Sequence, residues 1–563
     1  MDTPEPIIYI KPDHQELLVE ECVRNAESIR EISQIYLSKS GLDVEIERMT
    51  QFVILAVLCI VFGLLTGTMF TSFSSPGAGK VREYIESWTG NFPGQGTVYL
   101  RLPDLQKNCW DLLEKVAAKI QDAFYVAVGN HARAIFTSLV QNSRTKATPP
   151  LECFIGIASP SQLFPSLAVA VRGRLLPFFH AWLLGLAGRV TSTAELIGRL
   201  KTVVIEGNWV AFKQAGEAGF FHHPPGKNAF YTAFQLIEAR LAPLDDFLNR
   251  SLANLGAIDL TAVTVDTSHL PADKRDQTAT PGTSSRGPFH GHKTSTGGCA
   301  TGIPVSNVPG LGRQADSTLF KGTYQPMVDL AKAAGQDMWV STNDAAYSSA
   351  GIVNTVEGAG TVCLTDINPK NSPRLADLKS MAGALADLSK KAIEEGLSKE
   401  ERKAWLGDAQ AISRAQGKPV PLAEKKKILP RILRKYAERA RMNGLTQGER
   451  RTEKRLRREV GAARRELQYH GTSQEKKVGL PPVVQGTIEW FLCYHIRGQN
   501  EGIFSLLKKR GATIGDGQRT PWVVGQRPVH GRVQARYTGI KVTALVMVKV
   551  TGTKKHFMRV PHN

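Results

Sequence analysis

The chain has 563 residues, too many for one ordinary core, and three or four folding units are expected. Its 42% hydrophobic and 22% charged residues exclude wholesale disorder. The net charge of +20 favours a polyanionic partner, either nucleic acid or an anionic membrane surface. The 7 cysteines are scattered without a Cys-x-x-Cys pair, which excludes a zinc ribbon and a disulfide framework and indicates free thiols in a reducing cytoplasm.

Residues 1–100 are predicted to form an N-terminal helical region around one uncharged segment, Phe52–Phe70. The segment is about as long as a bilayer span, but it begins too late for an ordinary signal peptide. Its flanks carry charges of both signs, so they give no positive-inside bias. A fully buried helix in a large helical domain has the same pattern. We favour the buried helix, with a membrane helix as the alternative.

Residues 101–255 are predicted to be helical and are a candidate DNA-binding region. Within them, Trp209–Leu241 has the pattern helix, turn, helix, with Pro224 and Pro225 in the turn. Such a unit can present its second helix to the major groove, whereas an ordinary helical hairpin is the commoner structure. Both interpretations stay open.

Residues 256–372 change character, because β-branched strands now alternate with a helix. This alternation predicts a mixed α/β sheet. The predicted elements are a strand at Ile258–Thr267, short strands at His290–Ser295 and Gly302–Asn307, a helix at Ser317–Ala334, and strands at Met338–Thr342 and Thr361–Asp366.

Residues 373–480 are predicted to be a basic helical insertion. Leu375, Leu378 and Leu385 mark an amphipathic helix, and the chain beyond Pro421 is dense in Lys and Arg with Glu interspersed. The insertion is either a solvated, salt-bridged helical pair or a surface that contacts a phosphate backbone. We favour the phosphate contact.

The most specific pattern lies in the last region, residues 481–563, where Tyr494, Arg497, Glu501 and Lys508 occur in a predicted helix. Their spacing places all four along one stripe of a 3.6-residue helix. A carboxylate can hold a divalent metal, while Arg and Lys clamp phosphate oxygens. The alternative is an amphipathic surface helix with incidental charges.

The spacing Tyr-(2)-Arg-(3)-Glu-(6)-Lys resembles the signature of one large branch of bacterial insertion-sequence transposases of the DDE type, and all four positions match. The resemblance covers about residues 258–530. It implies that Glu501 is the third catalytic carboxylate. It also implies that Tyr494, Arg497 and Lys508 contact phosphates at the transposon end.

The resemblance also requires two upstream aspartates, and two fit: Asp266 follows a β-branched run on the first predicted strand, and Asp344 follows another predicted strand. The segments His290–Lys293 and Ala315–Phe320 resemble two further landmarks of the family in the right order. Asp316 itself is interpreted as the N-cap of the helix that follows. Glu489 competes with Glu501 as the third carboxylate, but it lacks the matching partners.

The resemblance therefore implies an RNase H-like α/β fold: a mixed sheet with flanking helices, interrupted by the basic insertion and preceded by a mainly α-helical N-terminal region. Two Mg²⁺ ions, or Mn²⁺, are expected on Asp266, Asp344 and Glu501. The expected partners are transposon terminal repeats and target DNA, bound by a homodimer or higher assembly, with no small-molecule substrate and no membrane. The expected location is the cytoplasm, at the nucleoid. The alternatives are a related nuclease, a catalytically inactive transposase-derived DNA-binding protein, or a membrane-attached basic protein.

Overall fold

The computed structural model describes most of the chain, which divides into two compact units. Unit 1 comprises Met1–Leu248, Val542–Thr553 and Arg559–Asn563, and unit 2 comprises Asn249–Lys541 and Lys554–Met558. The predicted helix-turn-helix lies almost wholly outside the described residues. Those residues are 12–63, 79–90, 95–143, 151–187, 232–233, 236–237, 240–272, 276–284, 287–509 and 526–552.

The described part of unit 1 is helical, as predicted. A kink at Cys109 divides the longest helix. The helices are α1 (Pro12–Arg24), α2 (Ala26–Ser40), α3 (Ile46–Phe62), α4 (Gly79–Thr89), α5 (Gln95–Ser143), α6 (Pro160–Leu163) and α7 (Val169–Ala187), with a 3-10 turn at Leu151–Phe154.

Helix α3 contains the described part of the apolar segment, and every residue from Met49 to Phe62 is buried. From Phe52 to Phe62 the helix is apolar on every side, a pattern typical of a helix buried among others. It packs against α2, α4, α5 and α7. At its C-terminal end the Gln121 side chain donates a hydrogen bond of 2.6 Å to the free carbonyl of Val61. The buried-helix interpretation is therefore confirmed for these residues. Among the described helices, none has both the length and the apolar character that crossing a bilayer requires.

Unit 2 is built on a six-stranded mixed sheet. The strand order is β2-β3-β1-β5-β6, and β4 also pairs with β3. Strand β1 is central: it runs antiparallel to β3 and parallel to β5, which is in turn parallel to β6. The strands are β1 (Ala262–Pro271), β2 (Thr280–Ser284), β3 (Gly287–Cys299), β4 (Pro304–Leu311), β5 (Val340–Asn343) and β6 (Val362–Thr365).

Helices cover both faces of this sheet, and two adjacent glycines of β3 set how closely they approach. Successive strand residues point to opposite faces. A Cβ on Gly297 would collide with Met327 of α9 (Asp316–Ala333), whereas a Cβ on Gly298 would collide with Asn500 of α17 (Gly498–Lys509). Helices α9 and α17 therefore lie on opposite faces. Two further helices belong to this unit in whole or part, α8 (Leu241–Asn254) and α10 (Ala350–Gly358).

The basic insertion is helical, as predicted, and it packs directly on the sheet. One hydrophobic cluster joins Val340 and Leu364 of the parallel strands to Leu429 and Leu433 of the insertion and to Leu492 beyond it. The insertion thus forms a layer of the same core. Its helices, and those that follow, are α11 (Pro373–Gly396), α12 (Ala404–Gln416), α13 (Leu422–Gly444), α14 (Gln447–His470), α15 (Ser473–Gly479), α16 (Ile488–Tyr494) and α18 (Gln526–Thr551).

Two details differ from the sequence predictions. Strand β2 is not among the predicted strands, because Pro281 and Gly282 are poor strand formers. Helix α9 is capped by Ala315 and begins at Asp316, so the N-cap assignment of Asp316 is wrong. Its carboxylate instead accepts a hydrogen bond of 2.8 Å from the Lys293 ammonium, which ties the start of α9 to β3.

Candidate functional site

Asp266 and Asp344 lie side by side on neighbouring parallel strands. The register of β1 against β5 pairs Val265 with Asn343. Asp266 comes directly after Val265, and Asp344 comes directly after Asn343. Asp344 follows the last residue of β5, where its Oδ1 accepts a hydrogen bond of 2.9 Å from the Ala346 N–H. Two residues separated by a long stretch of sequence are thus brought together by strand pairing.

A single arginine faces both carboxylates. Nη2 of Arg497 lies 3.7 Å from Oδ2 of Asp266 and 3.5 Å from Oδ2 of Asp344. These distances allow electrostatic attraction but exceed ordinary hydrogen-bond lengths. The Arg497 guanidinium also lies over the ring of Tyr494, 5.7 Å from its centroid. Tyr494 stacks on Trp490 in turn, with 5.5 Å between the ring centroids.

Burial makes the two carboxylates reluctant to ionise. It raises the pKa of Asp266 to about 7, although Arg497 acts in the opposite direction, and the charge of Asp344 adds to the rise. Burial likewise raises the pKa of Asp344, again against the influence of Arg497. Burial of Arg497 works against its charge, but the surrounding acidic groups outweigh that effect and raise its pKa. One guanidinium therefore compensates the two carboxylates only in part.

A 3-10 turn interrupts the segment that carries the motif, yet Tyr494, Arg497 and Glu501 still line one cavity. The predicted stripe is therefore confirmed for these three residues and stays a prediction for Lys508. Helix α16 ends at Tyr494, a 3-10 turn spans His495–Arg497, and α17 begins at Gly498. A 3-10 turn has 3.0 residues per turn, which changes the angular relation between residues on its two sides. The break places Tyr494 and Arg497 beside the sheet, where the turn contacts both β1 and β5.

Glu501 lies in the first turn of α17 and is exposed. It lines a cavity of about 550 Å³ together with Tyr494, Arg497 and Gly498. Its charge is among those that raise the pKa of Arg497. Within the described part of the chain, no group of three or more His, Cys, Asp or Glu side chains could hold a metal ion. The structure thus brings Asp266 and Asp344 together around Arg497, and the three-carboxylate ligand set stays a prediction.

Two other predicted positions have distinct outcomes. Lys508 lies in α17, but its side chain is outside the described part, so its phosphate contact stays a prediction. Glu489 is buried, and its Oε1 lies 2.5 Å from Nη2 of Arg457. Burial alone would raise the pKa of Glu489, but Arg457 lowers it overall. Glu489 is therefore occupied in an ion pair that joins α16 to α14.

The site contains a further acid that the sequence analysis does not single out. Asp366 follows the last residue of β6, as Asp344 follows β5. Its carboxylate accepts hydrogen bonds from Lys379 and Gln485, and its charge contributes to the raised pKa of Asp344. The signal was an Asp at the end of a predicted strand, but no motif distinguished it.

The tyrosine after the second aspartate also has a defined role in the fold. The hydroxyl of Tyr347 forms a hydrogen bond of 2.7 Å with the hydroxyl of Thr267, next to Asp266. Tyr347 is fully buried, so this contact joins β1 to the turn that follows β5. It helps to hold the two aspartates at a fixed separation.

Comparison with protein-family models, with curated proteins and with solved structures found no match for this chain.

Proposed function

We propose that the chain is a DNA transposase of the DDE type, with an RNase H-like catalytic core formed by unit 2. The observation that carries the proposal is the meeting of Asp266 and Asp344 around Arg497. Asp266 lies within β1, Asp344 follows β5, and Arg497 belongs to a separate sequence motif. Their convergence supports the motif, because three unrelated surface residues would have no reason to meet.

The sheet supports the RNase H-like assignment. The first aspartate lies on the central strand β1, the second follows the adjacent parallel strand β5, and the helix that bears Glu501 packs against the sheet. This is the arrangement that the resemblance implies for a mixed sheet with flanking helices. The basic helices then form an insertion between β6 and α16.

The residues fit divalent cations in chemistry. Asp266 and Asp344 supply hard carboxylate oxygens, which Mg²⁺ and Mn²⁺ prefer. Burial raises the pKa of both groups, and the single Arg497 offsets this only in part, so a bound cation would favour their ionised forms. Asp266 and Asp344 would hold the ions, and Glu501, which lines the adjoining cavity, is the third ligand that the resemblance implies. When bound, the ions would activate an attacking oxygen and stabilise the leaving oxygen of a phosphodiester.

The neighbouring side chains suit the binding of a phosphate. The Arg497 side chain keeps about a quarter of its surface exposed, so its guanidinium can donate to a phosphate oxygen. The stack of Trp490 and Tyr494 fixes the orientation of that guanidinium. Burial raises the pKa of Tyr494, so its phenol stays protonated and can donate a hydrogen bond.

The proposed reaction has two steps, the first at a phosphodiester of the transposon end and the second at a phosphodiester of the target. In the first, water attacks the phosphodiester at the transposon end and a 3′-OH leaves. In the second, that 3′-OH attacks a target phosphodiester, a new P–O bond forms, and the target 3′-oxygen leaves. The chain orients the scissile phosphate through Arg497, Tyr494 and Lys508, and no cofactor other than metal is required.

Cleavage of labelled DNA that carries the element's own ends, taken from DNA flanking the gene, tests the proposal. We expect Mg²⁺-dependent nicking at the ends and joining to a target plasmid by wild type, and a loss of at least a hundredfold in Glu501→Ala. Glu395→Ala, at an exposed glutamate of α11, is the matched control and should keep full activity. Nicking without joining would indicate a nuclease. End-specific binding without cleavage would indicate an inactive derivative, and equal cleavage by both variants would exclude Glu501.

A further inference from the structure

Helix α14 carries four basic residues on one exposed line. Arg451, Lys454, Arg458 and Arg465 are all exposed. Their offsets of about one, two and four helical turns place them along a single face. The line contains no acidic residue, whereas the comparable line on α13, with Lys427, is flanked by Glu424 and Glu438.

These four cations have no ion-pair partner in the part of the chain that the structure describes. Other exposed cations of the same helices do have one. Arg439 lies 2.6 Å from Glu401, Arg455 lies 2.9 Å from Glu459, and Lys435 lies 3.5 Å from Asp408. The insertion therefore contains both kinds of basic residue that the sequence left open.

The opposite side of α14 is fixed to the core of unit 2. Val460 and Leu467 are buried, and helix α14 packs on α11. A capping box between Thr446 and Glu449 fixes its first turn. On the buried side, Arg464 donates a hydrogen bond of 2.8 Å to the Pro481 carbonyl. The unpaired line is thus displayed on a helix whose backbone is already ordered.

We propose that this line binds the backbone of duplex DNA, independently of base sequence. The inference rests on the proposed function and assigns a DNA-contacting surface to it outside the carboxylate site. Four cations from Arg451 to Arg465 extend over roughly 21 Å of helix, which spans several phosphates of one strand. Three of them are Arg, whose planar fork suits phosphate oxygens. An anionic membrane is a poorer partner, because α14 exposes one large ring, Tyr469 in its last turn, and no row of apolar side chains to insert.

Fluorescence anisotropy of the full chain with a random-sequence DNA duplex, over a range of salt concentrations, tests the proposal. The variant is the triple substitution Arg451→Gln, Lys454→Gln and Arg458→Gln. We expect the slope of log K against log salt to become shallower by roughly 3, with at least tenfold weaker binding near physiological salt. The charge-matched control is Lys435→Gln, Arg439→Gln and Arg455→Gln, which removes three ion-paired cations and should change the slope by less than about 1.

Equal effects of the two triple variants would overturn the proposal, because bulk charge would then explain the binding. No effect of the first variant on DNA, or a loss of binding only to phosphatidylserine vesicles, would also overturn it. Circular dichroism verifies folding; if the first variant is unfolded, Arg451→Gln with Arg458→Gln is measured instead, with an expected slope change of roughly 2. This experiment measures binding and not cleavage. If the first variant binds DNA more weakly and wild type cleaves no DNA, the proposed DNA-binding surface is supported while the proposed activity fails.

Discussion

Strand β5 has an aspartate near each end, and the two are held in opposite ways. Before the strand, Asp337 lies 2.5 Å from the Lys425 ammonium and accepts hydrogen bonds from the Ser413 hydroxyl at 2.8 Å and the Val420 N–H at 2.9 Å. After the strand, Asp344 has one N–H donor and a guanidinium at 3.5 Å, which it shares with Asp266.

The difference lies in the number and distance of the donors. Asp337 is saturated, and Lys425 also donates to the carbonyls of Met338 and Gly360, so the pair joins α13 to the sheet. Asp344 and Asp266 remain under-compensated, which their raised pKa values express. The first arrangement serves stability. The second leaves a demand for positive charge that a bound cation can meet.

Removal of the compensating charge at Asp337 should have the largest effect. Lys425→Met leaves a buried carboxylate without its cation and should lower the free energy of unfolding by about 3–5 kcal/mol. Urea denaturation measures this. Lys427→Met, at an exposed lysine two residues away, is the control and should change stability by less than about 0.5 kcal/mol. Similar stability of the two variants would mean that the buried pair is not needed.

Neutralisation of Asp266, which shares Arg497 with Asp344, should instead raise the free energy of unfolding. A carboxyl whose folded pKa is raised contributes stability below its unfolded value near 3.8, and that stability is lost as pH rises through about 7. Asp266→Asn should therefore stabilise the protein at pH 8, by up to about 4 kcal/mol, and the gain should shrink towards pH 4. Urea denaturation across this range measures it. Asp337→Asn should destabilise at pH 8, and a gain there would contradict the comparison.

Added cation should give the smallest effect. At ten times its dissociation constant, Mg²⁺ or Mn²⁺ should stabilise wild type by about 1.4 kcal/mol, because it binds only the folded site. A thermal melt at pH 8 should show a rise in Tm that is absent from Asp344→Asn. Ca²⁺ and a matched concentration of NaCl control for ionic strength. An equal rise in the variant would place the cation elsewhere.

Local sequence patterns predicted much of unit 2. The β-branched run before Asp266 and the apolar runs around Val340 and Val362 gave β1, β5 and β6, because buried parallel strands need such residues. The strands then indicated both aspartates, although Asp266 lies within β1 and only Asp344 follows the end of its strand. The fixed spacing around Arg497 indicated the third member of the cluster.

Other features depend on contacts that no local pattern encodes. The 3-10 turn at His495–Arg497 arises where the chain meets β1 and β5. The roles of Glu489 and Asp366 are set by Arg457 and Lys379, which come from distant helices. Whether a basic residue is ion-paired or free likewise depends on its tertiary neighbours, so the charge count alone could not separate Arg455 from Arg458.

The paired glycines of β3 also bear on how mutation would affect the proposed activity. Any side chain at Gly297 must displace Met327 and α9, whereas any side chain at Gly298 must displace Asn500 and α17. Neither glycine has a functional side chain, yet Gly298 determines how closely the helix that carries Glu501 packs on the sheet. A substitution at Gly298 would then abolish the proposed activity while every carboxylate remained intact. An intact motif alone would therefore not show that the protein is active.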